Sequence, residues 1–158
     1  MLRHAAIAVF LLFGVVAARP SFADVTGPAK IIDGDTIIVA GEHVRLQGID
    51  APELHQTRTA YGQKWACGRI AAEWLKEHLH GRQVDCVGHA RDRYDRLLAV
   101  CYADGKSIND RLVREGWALD FRKYSTDYLQ AEAEARRAGI GIWRGEFEPP
   151  WEWRAARR

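Results

Sequence analysis

Three short stretches of the sequence, residues 33–36, 45–53 and 92–96, bring arginine and carboxylate side chains close together along the chain. Guanidinium groups form forked hydrogen bonds to phosphate oxygens, and paired carboxylates bind hard metal ions. A further carboxylate can take a proton from a water molecule that attacks phosphorus. These residue types, in this order, predict the hydrolysis of a phosphodiester bond.

Asp35 and Asp50 are the candidate metal ligands. Calcium prefers six to eight oxygen ligands in loose geometry, so two carboxylates need carbonyl oxygens, water and a substrate phosphate oxygen to complete the site. Taken alone, residues 33–35 are more typical of a plain turn than of a metal site. The metal hypothesis therefore depends on the acids and arginines that surround this turn.

Glu53 is the candidate general base, and Arg45 and Arg96 are the candidate phosphate ligands. Glu53 follows Pro52, whose ring restricts the backbone and keeps this segment out of a helix. Two fixed guanidinium groups would stabilise the charge that develops on phosphorus in the transition state more than the ground state. Considered singly, each of these residues also suits an ordinary exposed position.

Tyr94 and Tyr124 are candidate substrate contacts. Aromatic rings stack on unpaired bases without reading the sequence of a nucleic acid. The alternative for each tyrosine is a place in the hydrophobic core, and the sequence leaves both open.

Hydrophobic periodicity indicates which elements position these residues. Five short strands are predicted, at residues 30–32, 37–40, 44–47, 83–87 and 97–102. Three helices are predicted, at residues 63–80, 107–115 and 126–138. The period of two in a strand sends Val44 and Leu46 to the core and Arg45 to the open face. The element order fits an α+β or mainly β domain, a small Greek-key barrel with appended helices.

The first residues have the pattern of a signal peptide. A basic start is followed by an apolar run at residues 5–18 and by Ser-Phe-Ala at 21–23, which predicts cleavage before Asp24. The alternative is a buried N-terminal helix. The expected mature chain, residues 24–158, is one exported domain, periplasmic or secreted, monomeric and without a membrane span. Residues 144–158 form a basic tail rich in Trp and Pro, whose last residues are expected to fray.

Net charge does not support nucleic-acid binding, because removal of residues 1–23 leaves 21 basic and 21 acidic residues. Binding would have to depend on local clusters of arginine.

The three cysteines lack the paired spacing of a zinc site. Cys86 and Cys101 fall on strands expected to be antiparallel neighbours, so we predict that they form a disulfide and that Cys67 is free. The alternative is that all three are small core residues.

The ordered set of motifs resembles the staphylococcal nuclease, or thermonuclease, family over residues 29–143. The resemblance rests on Ile-Asp-Gly-Asp-Thr at 32–36, Arg-Leu at 45–46, Asp-Ala-Pro-Glu at 50–53, Asp-Arg-Tyr-Asp-Arg at 92–96 and Leu-Val-Arg-Glu-Gly at 112–116. It implies a five-stranded OB-fold barrel with three helices and Ca²⁺-dependent cleavage of DNA and RNA.

The resemblance also implies a role for individual residues. Arg45 and Arg96 match the phosphate-binding arginines, and Glu53 matches the catalytic glutamate. Asp35 and Asp50 match the carboxylate ligands of calcium, and Ala51 matches the residue that supplies a backbone carbonyl. The candidate substrate contacts, Tyr94 and Tyr124, match substrate-contacting tyrosines.

The chain departs from the family pattern at three positions. Ala51 replaces a threonine, which matters little if only its carbonyl binds metal. Asp95 replaces a glycine before Arg96, where a positive φ is expected, and its charge could pair with Arg96 or repel phosphate. Arg122 stands where a second substrate tyrosine is expected.

The sequence therefore predicts an exported, calcium-dependent nuclease with little sequence specificity, acting on DNA, RNA or both. A first rival is an OB-fold module of the cell envelope that binds single strands without cutting them. The presence of Glu53 argues against that rival, because a pure binder needs no general base. A second rival is a structural domain that uses its Trp-rich tail as a contact surface.

Overall fold

The computed structural model describes residues 23–157, in which five strands close into a β-barrel. The predicted signal peptide, residues 1–23, lies outside the described residues except for Ala23, so its cleavage stays a prediction. Within residues 23–157, no helix has both the length and the apolar character needed to cross a bilayer.

The barrel is a mixed sheet that closes on itself. The described residues contain ten strands: β1 (Ala23–Ile31), β2 (Thr36–Val39), β3 (Glu42–Leu46), β4 (Ile49–Asp50), β5 (Arg58–Ala60), β6 (Gln63–Trp65), β7 (Gln83–Arg91), β8 (Leu97–Ala103), β9 (Lys106–Ser107) and β10 (Leu119–Asp120). The barrel order is β3-β2-β1-β7-β8, and a parallel pairing of β8 with β3 closes it. The predicted fold class, a small five-stranded OB-fold barrel with helices, is confirmed.

Strand periodicity fills the barrel. In β8, buried Leu97, Ala99 and Cys101 alternate with residues that are only partly buried. In β3, Val44 and Leu46 are fully buried, as the alternation in the sequence predicts. The inward face of each strand therefore forms the core, and polar residues remain at the barrel surface and its ends.

The described residues contain four α-helices: α1 (Cys67–Leu79), α2 (Ile108–Arg114), α3 (Leu129–Ala138) and α4 (Pro150–Ala155). The first predicted helix begins at Cys67 instead of Gln63, because β6 pairs with β5 as a hairpin. The turn of this hairpin, between β5 and β6, places Tyr61 and Gly62 at φ values of 53° and 76°. Two successive positive φ values form the tight turn that matches the twist of antiparallel strands.

The prediction that the chain ends in a frayed tail is wrong for Arg154. Pro149 and Pro150 restrict the backbone at the start of α4, and proline is favoured in the first turn of a helix, where its missing N–H costs nothing. Arg154 lies in the last turn of α4, and its side chain reaches the barrel.

Cys86 and Cys101 form a disulfide across β7 and β8. The two residues are paired in the strand register, and their Cα atoms are 4.0 Å apart. Cys67 is free and buried at the start of α1, and its Sγ donates a hydrogen bond to the carbonyl of Gln56 at 3.2 Å. The disulfide therefore joins the strands on either side of the loop that carries Arg96.

Replacement of Cys86 and Cys101 by serine is expected to lower the free energy of unfolding by about 3 kcal/mol. The crosslink closes a loop with a sequence separation of 15 residues, and the unfolded chain gains entropy when the crosslink is removed. Urea denaturation would measure the difference. A reducing agent should lower the midpoint of the parent and leave that of the double variant unchanged. An unchanged parent midpoint would contradict the prediction.

Candidate active site

The turn between β1 and β2 presents Asp35 at one end of the barrel. Asp33 holds the turn, because its Oδ1 accepts the Asp35 N–H at 3.0 Å. Asp35 is only 3% exposed, and its Oδ2 accepts the Ala51 N–H at 2.8 Å. A Cβ at Gly34 would lie 2.7 Å from the Cβ of Ala51. The absence of a side chain at Gly34 therefore lets the turn pack against Ala51. This packing holds the Asp35 carboxylate beside the Ala51 N–H.

Arg45 lies between the two predicted metal ligands. In the strand register it lies opposite Thr36, next to Asp35. Its Nη1 pairs with Asp35, and its Nη2 donates to Oδ1 of Asp50 at 2.8 Å. Asp50 is fully buried. Burial of the Arg45 guanidinium lowers its pKa, and the negative charge of Asp50 offsets only part of this effect. One guanidinium thus links two buried carboxylates, which places Asp35, Arg45 and Asp50 in one network.

Glu53 lies in the loop that follows this network. The Glu53 N–H donates to the side chain of Gln56 at 3.2 Å, and the Gln56 N–H donates to the Glu53 carbonyl at 2.7 Å. A Cβ at Gly68 would lie 1.7 Å from the same carbonyl oxygen. The start of α1 can approach the loop this closely only because residue 68 is glycine.

Gln56 is a site residue that the sequence did not reveal. It is buried, and its amide also donates to the carbonyl of Glu148 at 2.7 Å. Gln56 therefore joins the Glu53 loop to the C-terminal segment. A lone glutamine in a loop carries no periodic or motif signal, and its partner lies 92 positions away along the chain.

Arg96 approaches the network from the loop between β7 and β8. Its Nη1 lies 3.3 Å from Oγ1 of Thr36, and its Nε donates to Asp92 at 2.8 Å. Burial raises the pKa of the Asp92 carboxyl, but hydrogen bonds from Arg96 outweigh it and the pKa is lowered. The charge of Arg96 also lowers the pKa of Arg45. Thr36 lies opposite Arg45 in the strand register and accepts from Arg96, so both arginines adjoin the same residue at this end of the barrel.

Asp95 does not pair with Arg96, although its position directly before Arg96 made such a pair one of two expectations. It adopts a φ of 64°, as expected for an aspartate in place of glycine. Its side chain is 89% exposed and lies 3.7 Å from Arg91, whereas the carboxylate paired with Arg96 belongs to Asp92. The substitution of glycine by aspartate is thus accommodated by the turn.

Tyr94 and Tyr124 are exposed to solvent instead of forming part of the core. The Arg96 guanidinium lies 5.5 Å from the centre of the Tyr94 ring, which places this ring beside the network. The Tyr124 ring packs edge-on against Phe121, with centroids 4.9 Å apart. Arg122, in place of a second tyrosine, donates to the carboxylate of Glu132 at 2.6 Å. Both tyrosines are therefore side chains that a ligand can reach.

Arg154, which the sequence placed in a frayed tail, binds two of the candidate site residues. Its Nη1 donates to Glu53 at 2.7 Å and to Oδ1 of Asp50 at 3.1 Å, and its Nη2 donates to Oδ2 of Asp50 at 2.8 Å. Burial lowers the pKa of the Arg154 guanidinium, but the hydrogen bonds to Asp50 and Glu53 outweigh it and raise the pKa. Both oxygens of Asp50 thus accept from arginine.

The donor atoms at this end of the barrel suit a hard cation. Asp35 and Asp50 offer carboxylate oxygens, and Ala51 adjoins both through its backbone. A guanidinium already acts as a cation on Asp50 and Glu53, which shows that these acids attract positive charge. Within the described part of the chain no cluster of three or more His, Cys, Asp or Glu groups forms a metal site. Water and a phosphate oxygen would have to complete the coordination of calcium.

The chain is similar to proteins of known name. Residues 43–145 match the model of a family described as staphylococcal nuclease homologue. A succinoglycan biosynthesis protein, ExoI, of Rhizobium meliloti is 40% identical over 139 residues, which cover 84% of this chain and 69% of that protein. An uncharacterized endonuclease of Haemophilus influenzae is 36% identical over 155 residues, 92% of this chain and 82% of that one. A staphylococcal-like nuclease of Arabidopsis thaliana is 30% identical over 118 residues, 73% and 34% of the two chains.

Proposed function

Because the chain belongs to the staphylococcal nuclease homologue family, we propose that it is a nuclease that hydrolyses phosphodiester bonds in DNA, RNA or both. The observation that carries the proposal is the ion-pair network at one end of the barrel. Arg45 links Asp35 and Asp50 in that network. Glu53 and Arg96 lie at its edges.

Arg45 and Arg96 bind and orient the scissile phosphate. Glu53 takes a proton from the attacking water, so that the water oxygen bonds to phosphorus as the bond to the leaving oxygen breaks. The leaving oxygen takes a proton from solvent. The two guanidinium groups are held in place by Asp50 and Asp92 before the reaction, so little reorganisation is needed as charge develops on the phosphate.

Asp35, Asp50 and the backbone carbonyl of Ala51 would hold the calcium ion. When bound, calcium supplies positive charge that polarises a phosphate oxygen. The support for calcium is the set of oxygen donors, which suits a large flexible cation better than one that demands tight octahedral geometry.

Cleavage is expected to require Ca²⁺, and Mg²⁺ is expected to substitute poorly. Digestion of plasmid DNA and of RNA by the purified chain, with each ion and with a chelator, would measure this on gels. Circular dichroism in the chelator is the control for folding. Undiminished cleavage in excess chelator would rule out the metal assignment.

The proposal extends to low sequence specificity and to action outside the cytoplasm. Tyr94 and Tyr124 are exposed, and aromatic rings stack on any base, which supports low specificity. The basic start and apolar run of the first residues support export. The rival, a binding module that does not cut, is disfavoured because the chain has Glu53, a carboxylate that pure binding does not need.

A further inference from the structure

Arg154 occupies the groups that the proposed reaction needs. Its guanidinium takes both carboxylate oxygens of Asp50 and one oxygen of Glu53. A cation bound to the same carboxylates would lie against the positive charge of this guanidinium, so the two compete for Asp50 and Glu53. A glutamate paired with an arginine is likewise a poor base for water.

The segment that carries Arg154 is held by side-chain packing and by the Arg154 ion pairs. Pro150 is buried, and Trp151 packs against the cluster of Cys67, Leu119 and Ile142. Gln56 donates to the Glu148 carbonyl at 2.7 Å, and Trp151 stacks on Phe121 with ring centroids 5.8 Å apart and an angle of 4° between planes. Helix α4 has only six residues, and so short a helix has little stability without its tertiary contacts. No strand of the barrel pairs with this segment among the described residues, so its release would leave the strand pairings intact.

We propose that residues 149–157 form a latch, in which Arg154 closes the active site by pairing with Asp50 and Glu53. Opening of the latch frees Asp50 for calcium and Glu53 for the attacking water. The inference rests on the proposed function, because it assigns regulation to that same site.

Latch closure and cation binding compete for the same carboxylates, so each weakens the other by the same factor. A latch that is closed in about nine molecules of ten lowers the apparent calcium affinity by about tenfold. Calcium should in turn release α4, and the backbone amides of residues 149–157 should then exchange hydrogen with solvent faster.

Calorimetric titration with Ca²⁺ alone tests the latch in two variants. Arg154→Gln removes the latch side chain, and Trp151→Ala removes its packing on Phe121 but keeps the charge of Arg154. Both are expected to bind calcium about tenfold more tightly than the parent. The matched control is Arg157→Gln, which removes a positive charge three residues further along, just beyond the end of α4. Arg157 contacts Trp153 and Glu148 instead of the network, so its variant should bind calcium as the parent does.

Hydrogen exchange of the parent with and without calcium gives a second readout, and faster exchange in residues 149–157 would support the latch. Unchanged calcium affinity in Trp151→Ala would overturn the latch proposal. Tighter calcium binding by Arg154→Gln alone would then reflect only the loss of a positive charge near the site. Loss of cleavage by Arg154→Gln at saturating calcium would also overturn it and make Arg154 a catalytic residue. Absence of cleavage by the parent would refute the nuclease proposal and leave the calorimetric result intact.

Discussion

Glu53→Gln is expected to lower the turnover number by about 10²–10⁴-fold, the usual contribution of a positioned general base. The amide keeps the size of the side chain but cannot take a proton from water. KM should stay within a few-fold of the parent value, because the lost interaction belongs to the transition state. Steady-state kinetics on a fluorescent oligonucleotide in saturating calcium would measure both constants.

The matched control is Glu146→Gln, which neutralises an exposed glutamate outside the site. This control should cleave at the parent rate. A Glu53→Gln variant that also cleaves at the parent rate would show that another group activates the water.

Arg96→Ala is expected to lower turnover by about 10²–10³-fold, as the loss of one fixed donor to the transition state does in other hydrolases. The Arg96 guanidinium is partly exposed, so its removal should change stability little. Kinetics together with urea denaturation would separate the two effects. Arg69→Ala, which removes an exposed arginine from α1, is the control and should leave turnover unchanged.

Arg45→Ala should lose turnover to a similar degree and should also destabilise the chain when calcium is absent. Asp35 and Asp50 are buried, and removal of Arg45 leaves buried carboxylates with fewer partners.

The result that would contradict the role of Arg96 is full turnover by Arg96→Ala, which would exclude Arg96 from the phosphate site.

The barrel could be predicted because its strands carry local signals. Val44 and Leu46 alternate with polar neighbours, and Leu97–Ala103 is a short apolar run that ends at the Asp-Gly turn of residues 104–105. The β5–β6 hairpin was missed because its turn begins with Tyr61, which is not a residue that favours a positive φ. Local preference could not reveal a turn that the hairpin pairing imposes.

Only those site residues that lie in recognisable sequence motifs could be predicted. Arg45, Asp50 and Glu53 lie within nine residues, and strand geometry places Arg45 beside Asp35. Arg154 contacts Asp50 across 104 positions of the chain, and no local pattern encodes so distant a contact. Proline is common in the first turn of a helix, as Pro150 is here, but a basic terminus is usually solvated, and the sequence therefore predicted a frayed tail.

The most direct test of the central claim is digestion of DNA in water enriched with heavy oxygen, followed by mass spectrometry of the new ends. If Glu53 activates water for attack on phosphorus, each new phosphate end should carry a heavy oxygen from solvent. The rate of its appearance should fall in Glu53→Gln in parallel with cleavage. Strand cleavage without heavy oxygen in the phosphate end, or no cleavage in saturating calcium, would contradict the account.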